Sequence, residues 1–204
     1  MSQSVPNPPG DLNGFSLMEA LIAIVVLTVG LLAAAALTAK MMTTGQESKY
    51  MTLASTLTSE KLEDLDRWDP DDPQVCVPSA STSAGSLTSD VMQTTTCPPP
   101  GSASGTVSYY DDVTLGATNG AFSETISTMS GGTTQYVTTV HAADGSIQTT
   151  TSTTAPTAPG TFHRRWIIEA NSPVTGVRRV TVLVTLLDKS VQPTVTFQMS
   201  MVRP

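Results

Sequence analysis

One apolar stretch constrains the fold of this chain more than any other feature. Residues 13–39 read NGFSLMEALIAIVVLTVGLLAAAALTA, and the twenty residues from Ala20 to Ala39 carry no charge. A helix rises about 1.5 Å per residue, so twenty residues span about 30 Å, the thickness of the hydrocarbon core of a bilayer. The sequence therefore predicts a membrane-spanning helix with a single carboxylate, Glu19, near its start.

Glu19 makes this helix less suitable as a plain membrane anchor. Eleven Leu, Ile and Val residues lie between Leu17 and Leu37, and they favour insertion by roughly 5 kcal/mol in total. A carboxylate costs about 3 kcal/mol at the bilayer centre and less near a helix end. Insertion remains favourable, but an ionisable group in this position is expected to have a partner. The alternative is a solvated carboxylate at the level of the lipid headgroups.

Residues 14–19, Gly-Phe-Ser-Leu-Met-Glu, together with the apolar helix after them, resemble the cleavage and methylation motif of type IV prepilins. In that family a membrane peptidase cuts after the glycine and methylates the new N-terminus. The resemblance implies a cut between Gly14 and Phe15, which makes Glu19 the fifth residue of the mature chain. In a filament of packed helices, the Phe15 amine of one subunit would then meet Glu19 of a neighbour, and each charge would neutralise the other.

The predicted organisation has four parts: a leader at 1–14, a transmembrane or filament-core helix at 15–40, an amphipathic helix of the head at 41–68, and a β-rich globular head with Ser/Thr-rich loops at 69–204. The leader has no Lys or Arg and contains Asp11, so its charge indicates no orientation. The resemblance implies a leader inside the cell and a head in the periplasm. The alternative is an ordinary secretory signal that is cleaved at the small residues 33–36.

The helical pattern continues beyond the apolar span. Charged and polar residues separate apolar ones at helical spacing, which are Tyr50, Leu53, Leu57, Leu62 and Leu65. This spacing predicts an amphipathic helix with one face for a core. The segment Asp69-Pro70-Asp71-Asp72-Pro73 ends it, because proline cannot continue a helix. One helix of roughly fifty residues is thus expected from near Phe15 to near Trp68.

The C-terminal part of the chain predicts three antiparallel strands, at 161–169, 177–187 and 194–201. Alternation places one apolar set on the same face: Trp166, Ile168, Val180, Val182, Val184, Leu186, Val195, Phe197, Met199 and Met201. Such a face needs a cover, and the apolar stripe of the helix supplies one. The predicted fold class is therefore α+β, a long N-terminal helix packed on a small antiparallel sheet, which is also the layout of a pilin.

The middle of the chain gives weaker signals. Short strands are predicted at 106–113 and 121–128, and a hairpin at 135–142 and 146–151 around Asp144-Gly145. Residues 149–159 are expected to form an exposed loop.

The chain has two cysteines, Cys76 and Cys97. An even count outside the cytoplasm predicts one disulfide, closing a loop of about twenty residues, with two free thiols as the alternative. Two cysteines without a nearby histidine do not favour a metal site. By the resemblance, a loop in this position favours a minor pilin over a major one.

Three further sets of charged residues have both a plain and a functional interpretation. Asp69, Asp71 and Asp72, with Asp111 or Asp112, would suit calcium, but a solvated helix stop is the expected role. Four arginines, Arg164, Arg165, Arg178 and Arg179, either contact acidic residues such as Glu60, Glu63 or Asp64 or form a solvated sheet edge, which is the expectation. His141 and His163 are expected to be ordinary surface residues.

Composition excludes some functions and favours others. The net charge of −7 argues against a nucleic-acid groove, and the chain has no phosphate loop, metal quartet or catalytic triad motif. We therefore expect no enzyme and no cofactor. The chain is most similar to minor pilins of the PilV class, which implies three partners: prepilin peptidase, other pilin subunits and the inner membrane. The alternatives are a pseudopilin of type II secretion and a membrane-tethered adhesive or binding module.

Overall fold

A computed structural model describes residues 16–98, 104–116, 122–142, 144–155, 160–188 and 194–204. The chain divides into two compact units, Met1–Thr44 and Gly45–Pro204. One helix, α1 (Leu17–Arg67), contributes residues to both units, and β-strands make up most of the rest of the second unit. The predicted α+β class is confirmed, as is a helix of about fifty residues.

The described part of the first unit is the apolar N-terminal portion of α1. Its window of highest mean hydropathy, 18 residues long, reaches 2.8. Ile24 to Leu27 are four consecutive residues that are all more than half exposed. At about 100° per residue they cover a full turn, so the helix presents apolar side chains in every direction. It is long and apolar enough to cross a membrane.

The C-terminal portion of α1 packs on the main sheet of the second unit through one stripe of buried residues, Ala54, Leu57, Thr58, Leu62 and Leu65. The predicted amphipathic helix is therefore confirmed. Near the end of the helix, the Arg203 guanidinium donates to the carbonyl oxygens of Leu65 at 2.9 Å and Trp68 at 3.0 Å. These bonds matter because the last carbonyls of a helix have no partners within it.

The described strands are β1 (Ser83–Gly85), β2 (Met92–Thr96), β3 (Ser104–Ser108), β4 (Tyr110–Leu115), β5 (Phe122–Ser130), β6 (Thr133–His141), β7 (Ile147–Ser152), β8 (Thr161–Ala170), β9 (Arg178–Leu186) and β10 (Thr196–Arg203). The main sheet has the order β10-β9-β8-β4-β5-β6-β7, and β1 also pairs with β8. Strands β2 and β3 form a separate two-stranded sheet. All of these pairings are antiparallel.

The predicted C-terminal meander is confirmed as β8-β9-β10. Phe197 and Met199 of β10 lie opposite Val184 and Val182 of β9, as the predicted common face requires. Met199 nevertheless remains 37% exposed, because β10 is the outer strand of the sheet. The predicted hairpin is also confirmed, with β6 and β7 joined through Gly145 in the left-handed region (φ 83°).

Two predictions in the middle of the chain are wrong. The expected single strand at 106–113 is broken at Tyr109, which separates β3 from β4. Tyr109 is fully buried, and its backbone bonds to Val91 and Trp166 take the chain from one sheet to the other. The expected loop at 149–159 begins later, because Thr149 to Ser152 belong to β7 and pair with β6.

The core of the second unit lies between α1 and the sheet. Its buried apolar residues form one cluster: Ala54, Leu57, Leu62, Leu65, Val75, Val77, Ala84, Val107, Tyr109, Val113, Phe162, Trp166, Ile168, Val180, Val182, Val184, Leu186 and Val195. Gly85 (φ 82°) lies against it, and a Cβ there would fall 2.3 Å from the carbonyl oxygen of Trp166. Glycine is thus required at this position for both its conformation and its size.

Candidate functional site

The predicted processing site, Gly14 and Phe15, lies outside the described residues. Glu19 lies in the first turn of α1 with its side chain exposed, and its backbone N–H donates to the Ser16 carbonyl at 2.9 Å. A carboxylate near a helix N-terminus interacts favourably with the helix dipole. The described structure therefore leaves the Glu19 side chain accessible to a partner outside the chain.

The apolar surface around Glu19 is far larger than a soluble protein exposes. Leu17 is 84% exposed and Leu32 71% exposed, and the large apolar side chains between them are more than half exposed as well. Exposed apolar patches of this extent mark contact with lipid or with other proteins. This part of α1 therefore needs a bilayer or neighbouring helices to shield its apolar side chains from water.

The predicted disulfide between Cys76 and Cys97 is confirmed, and both residues are buried. It links the segment that follows α1 to the end of β2. The loop that it closes contains β1 and β2, so the bond constrains two strands that pair with different sheets.

The acidic segment after α1 forms local turns. The Asp69 carboxylate accepts the backbone N–H of Asp71 at 3.0 Å, and Asp72 accepts that of Gln74 at 2.8 Å. These are the bonds by which aspartate initiates turns. Within the described ranges, no group of three or more His, Cys, Asp or Glu residues is arranged to hold a metal ion.

Asp111 and Arg164 form a buried ion pair in place of the surface roles expected for them. Arg164 is 1% exposed. Its Nε and Nη2 donate to the two Asp111 oxygens at 2.6 and 2.8 Å, and Nη2 also donates to Glu124 at 2.5 Å. The expectation of a solvated arginine is therefore wrong for Arg164, and its acidic partners are on β4 and β5 rather than on α1.

Lys61 connects this buried pair to the helix. Its Nζ lies 3.3 Å from Asp111 and 4.3 Å from the centroid of the Trp166 ring. Burial alone would raise the pKa of Asp111, but Arg164 and Lys61 outweigh that effect and hold the pKa below its usual value. Burial would likewise lower the pKa of Arg164, and Asp111 and Glu124 reverse the shift, so both groups remain charged.

The other arginines bind at the surface or at the helix end. Arg165 donates to Asp90 at 2.6 Å, and Arg179 forms two bonds with Glu169, at 2.8 and 2.9 Å. Arg178 donates to backbone carbonyls of the segment that follows α1. The Arg179 side chain is 42% exposed, as the prediction of a solvated arginine requires, but it lies on β9, which is an inner strand and not a sheet edge.

A second charged cluster, on the opposite face of the sheet, is centred on His163. Its Nδ1 lies 2.6 Å from Asp112 and its Nε2 lies 2.8 Å from Asp90. Burial would lower the pKa of His163, but its bonds to the two carboxylates outweigh that effect and raise it. The expectation that His163 is an ordinary surface residue is wrong, because the side chain is only 10% exposed and bonded on both sides.

The alternation of residues in β8 is a sequence signal for the burial of Arg164. Arg164 lies two residues before Trp166 and four before Ile168, both of which are buried on the core face of β8. Because side chains alternate along a strand, Arg164 lies on that face too. No comparable signal exists for Asp90, because it reaches His163 from the irregular segment between β1 and β2.

Comparison with known proteins adds no relative. The chain matches no family model, no curated protein and no solved structure.

Proposed function

We propose that this chain is a structural subunit of a type IV pilus-like filament, of the minor pilin kind, which prepilin peptidase releases from its leader. The observation that carries the proposal is the helix surface around Glu19. Apolar side chains are exposed in every direction from Leu17 onward, and one carboxylate lies in the first turn. Lipid satisfies the apolar surface before assembly, and packed helices of sister subunits satisfy it afterwards.

The carboxylate explains why sister helices suit this surface better than lipid does. An unpaired acid in an apolar environment is unfavourable, and a positive group in the same environment relieves that cost. Cleavage after Gly14 creates such a group at Phe15. If this amine pairs with Glu19 of a staggered neighbour, the ion pair joins two subunits, and this is the pairing that we propose.

The layout of the rest of the chain supports the same function. The C-terminal part of α1 is amphipathic and packs on an antiparallel sheet, which is the arrangement that the pilin resemblance implies. The disulfide is compatible with a head in the periplasm or on the cell surface, since such bonds persist in oxidising compartments.

The first test is the mass of the mature N-terminus. Native protein recovered from its cell envelope is expected to begin at Phe15 and to carry a methylated amine, as the resemblance implies. Recovery of the chain with residues 1–14 still attached would overturn the proposal and favour a plain membrane tether.

The second test compares two glutamates of α1. Glu19→Ala is expected to leave membrane insertion and leader removal intact and to reduce incorporation into filaments by about tenfold or more, because a buried charge loses its partner. Glu63→Ala, at an exposed position of the same helix, serves as the matched control and should assemble normally. Equal assembly of both variants would contradict the pairing.

The location of the assembled chain separates the two filament types. A pilus subunit is expected in filaments sheared from the cell surface, whereas a pseudopilin of type II secretion stays with the envelope after shearing. An epitope tag at the C-terminus allows both fractions to be measured in the same cells.

A further inference from the structure

We propose that the head binds a neutral saccharide in a cavity beside His163, a role independent of filament assembly. The cavity has a volume of about 350 Å³, within the range of small-molecule sites. It lies on the face of the main sheet opposite α1, because His163 and Asp112 alternate with Arg164 and Asp111, which contact the helix side.

The side chains that line the cavity are mostly polar or aromatic and come from four strands and three connecting segments. They include Asp90, Tyr110, Asp112, Tyr136, His163 and Arg165. Strands β4, β6 and β8 hold five of these polar or aromatic side chains, and a regular sheet limits their reorganisation when a ligand binds.

The bonds within the cluster leave further hydrogen-bonding groups for a ligand. His163 and Arg165 both bond to Oδ1 of Asp90, and His163 bonds to Oδ1 of Asp112. Within the described residues, no side-chain bond uses the Oδ2 atom of either carboxylate or the two terminal nitrogens of Arg165. The cavity thus offers carboxylate acceptors next to guanidinium donors, which is the combination that a row of hydroxyl groups can satisfy.

The charges in the cavity favour a neutral ligand. Each ring nitrogen of His163 lies against a carboxylate oxygen, and only the doubly protonated, positive ring can donate to both carboxylates at once. With Arg165, two positive groups balance the two carboxylates. An anion would meet Asp90 and Asp112, and a cation would meet His163 and Arg165, whereas a hydroxyl group can donate to one kind and accept from the other.

Two tyrosines provide the remaining feature of the site. The Tyr110 ring centroid lies 5.9 Å from that of His163, and Tyr136 lines the cavity from β6. Tyrosine combines a flat apolar ring with a polar hydroxyl group. The C–H face of a sugar ring can pack on the tyrosine ring while the sugar hydroxyl groups bond to the tyrosine hydroxyl group. A linear polyol has no such flat face, so this arrangement favours a saccharide.

The test uses the full chain in micelles of a zwitterionic detergent without a sugar headgroup. The probes are the methyl glycosides of glucose, galactose, mannose and N-acetylglucosamine, each titrated to millimolar concentration and followed by saturation-transfer NMR. Sodium acetate and tetramethylammonium chloride are the charged probes. At least one glycoside is expected to bind, and neither ion is.

Matched variants locate the binding. Tyr136→Ala and Arg165→Gln are each expected to raise the Kd about tenfold, because they remove a packing surface and a donor. Arg179→Gln removes an arginine that is also paired with a carboxylate but lies outside the cavity, and it should leave the Kd unchanged.

Tyr136→Phe keeps the ring in case Tyr136→Ala fails to fold, and its Kd should rise about fivefold. Absence of binding by all four glycosides would overturn the proposal. So would equal weakening by Arg179→Gln, or binding of acetate or tetramethylammonium in place of the glycosides. None of these results bears on the N-terminus of the mature protein, so the proposed filament function stands or fails separately.

Discussion

Arg164 and Asp111 lie directly opposite each other on β8 and β4 and form two parallel bonds inside the head, Nε to Oδ1 at 2.6 Å and Nη2 to Oδ2 at 2.8 Å. Both side chains are at most 2% exposed. Lys61 adds a bond from α1 to the same carboxylate. The Asp111 carboxylate thus joins β4, β8 and α1, and this polar cluster interrupts the apolar packing between the helix and the sheet.

Removal of one partner from this pair should be costly. Arg164→Met leaves Asp111 buried with Lys61 as its remaining cation, and we expect a loss of about 3 kcal/mol in the free energy of unfolding. The measurement is a urea titration of the full chain in detergent micelles, followed by tryptophan fluorescence.

Arg179→Gln is the matched control for this prediction. Arg179 and Glu169 are also an arginine and a carboxylate on directly opposite positions of neighbouring strands, but their side chains are 42% and 30% exposed. Ion pairs that solvent screens contribute much less to stability than buried ones do. If Arg164→Met lowers the free energy of unfolding by no more than Arg179→Gln does, burial does not increase the contribution of the Arg164 pair to stability.

A pair of glycines separates backbone strain from steric overlap. Gly85 (φ 82°) and Gly132 (φ 79°) have nearly the same left-handed conformation, but a Cβ at Gly132 meets open space. Gly132→Ala should therefore cost about 1 kcal/mol, from conformation alone. Gly85→Ala should cost about 3 kcal/mol, because the new methyl also overlaps the Trp166 carbonyl and the Tyr109 ring. The difference between the two unfolding free energies tests the predicted overlap, and equal losses would contradict it.

His163 predicts a pH dependence of stability with a definite sign. Its pKa is raised above the ordinary 6.5, since the bonds to Asp112 and Asp90 outweigh the effect of burial. The folded protein thus binds this proton more tightly than the unfolded chain does. The resulting stabilisation is complete below pH 6.5 and is lost as the pH rises through the folded-state pKa.

The measurement is the free energy of unfolding between neutral and mildly alkaline pH. The groups that face His163 are Asp90, Asp112, Arg165 and Tyr110. Burial would raise the pKa of Asp90, but the bonds from Arg165 and His163 outweigh that effect and lower it. His163→Gln should flatten the profile, whereas His141→Gln, on β6 outside this cluster, should retain the slope of the unaltered chain. A slope that survives in His163→Gln would assign it to another group.

Regular periodicity explains which elements could be predicted from the sequence. The apolar span, the stripe from Tyr50 to Leu65 and the alternation in β8, β9 and β10 are each repeated over several turns or residue pairs, so local order determines them. The break at Tyr109 could not be predicted this way. Val107, Tyr109 and Val113 keep one two-residue period through this segment, so periodicity marks no break. The change of sheet depends on the packing of Tyr109 beside Gly85 and Trp166.

The charged residues show the same division. The sequence determined a long apolar helix with one acid near its start, a cysteine pair and an α+β layout, because these depend on composition and on neighbours along the chain. Only the tertiary structure decided that Arg164 is buried with Asp111 and that His163 lies between Asp90 and Asp112. These partners are separated by 51 to 73 residues, and a charge becomes buried or exposed according to which strands the fold places beside it.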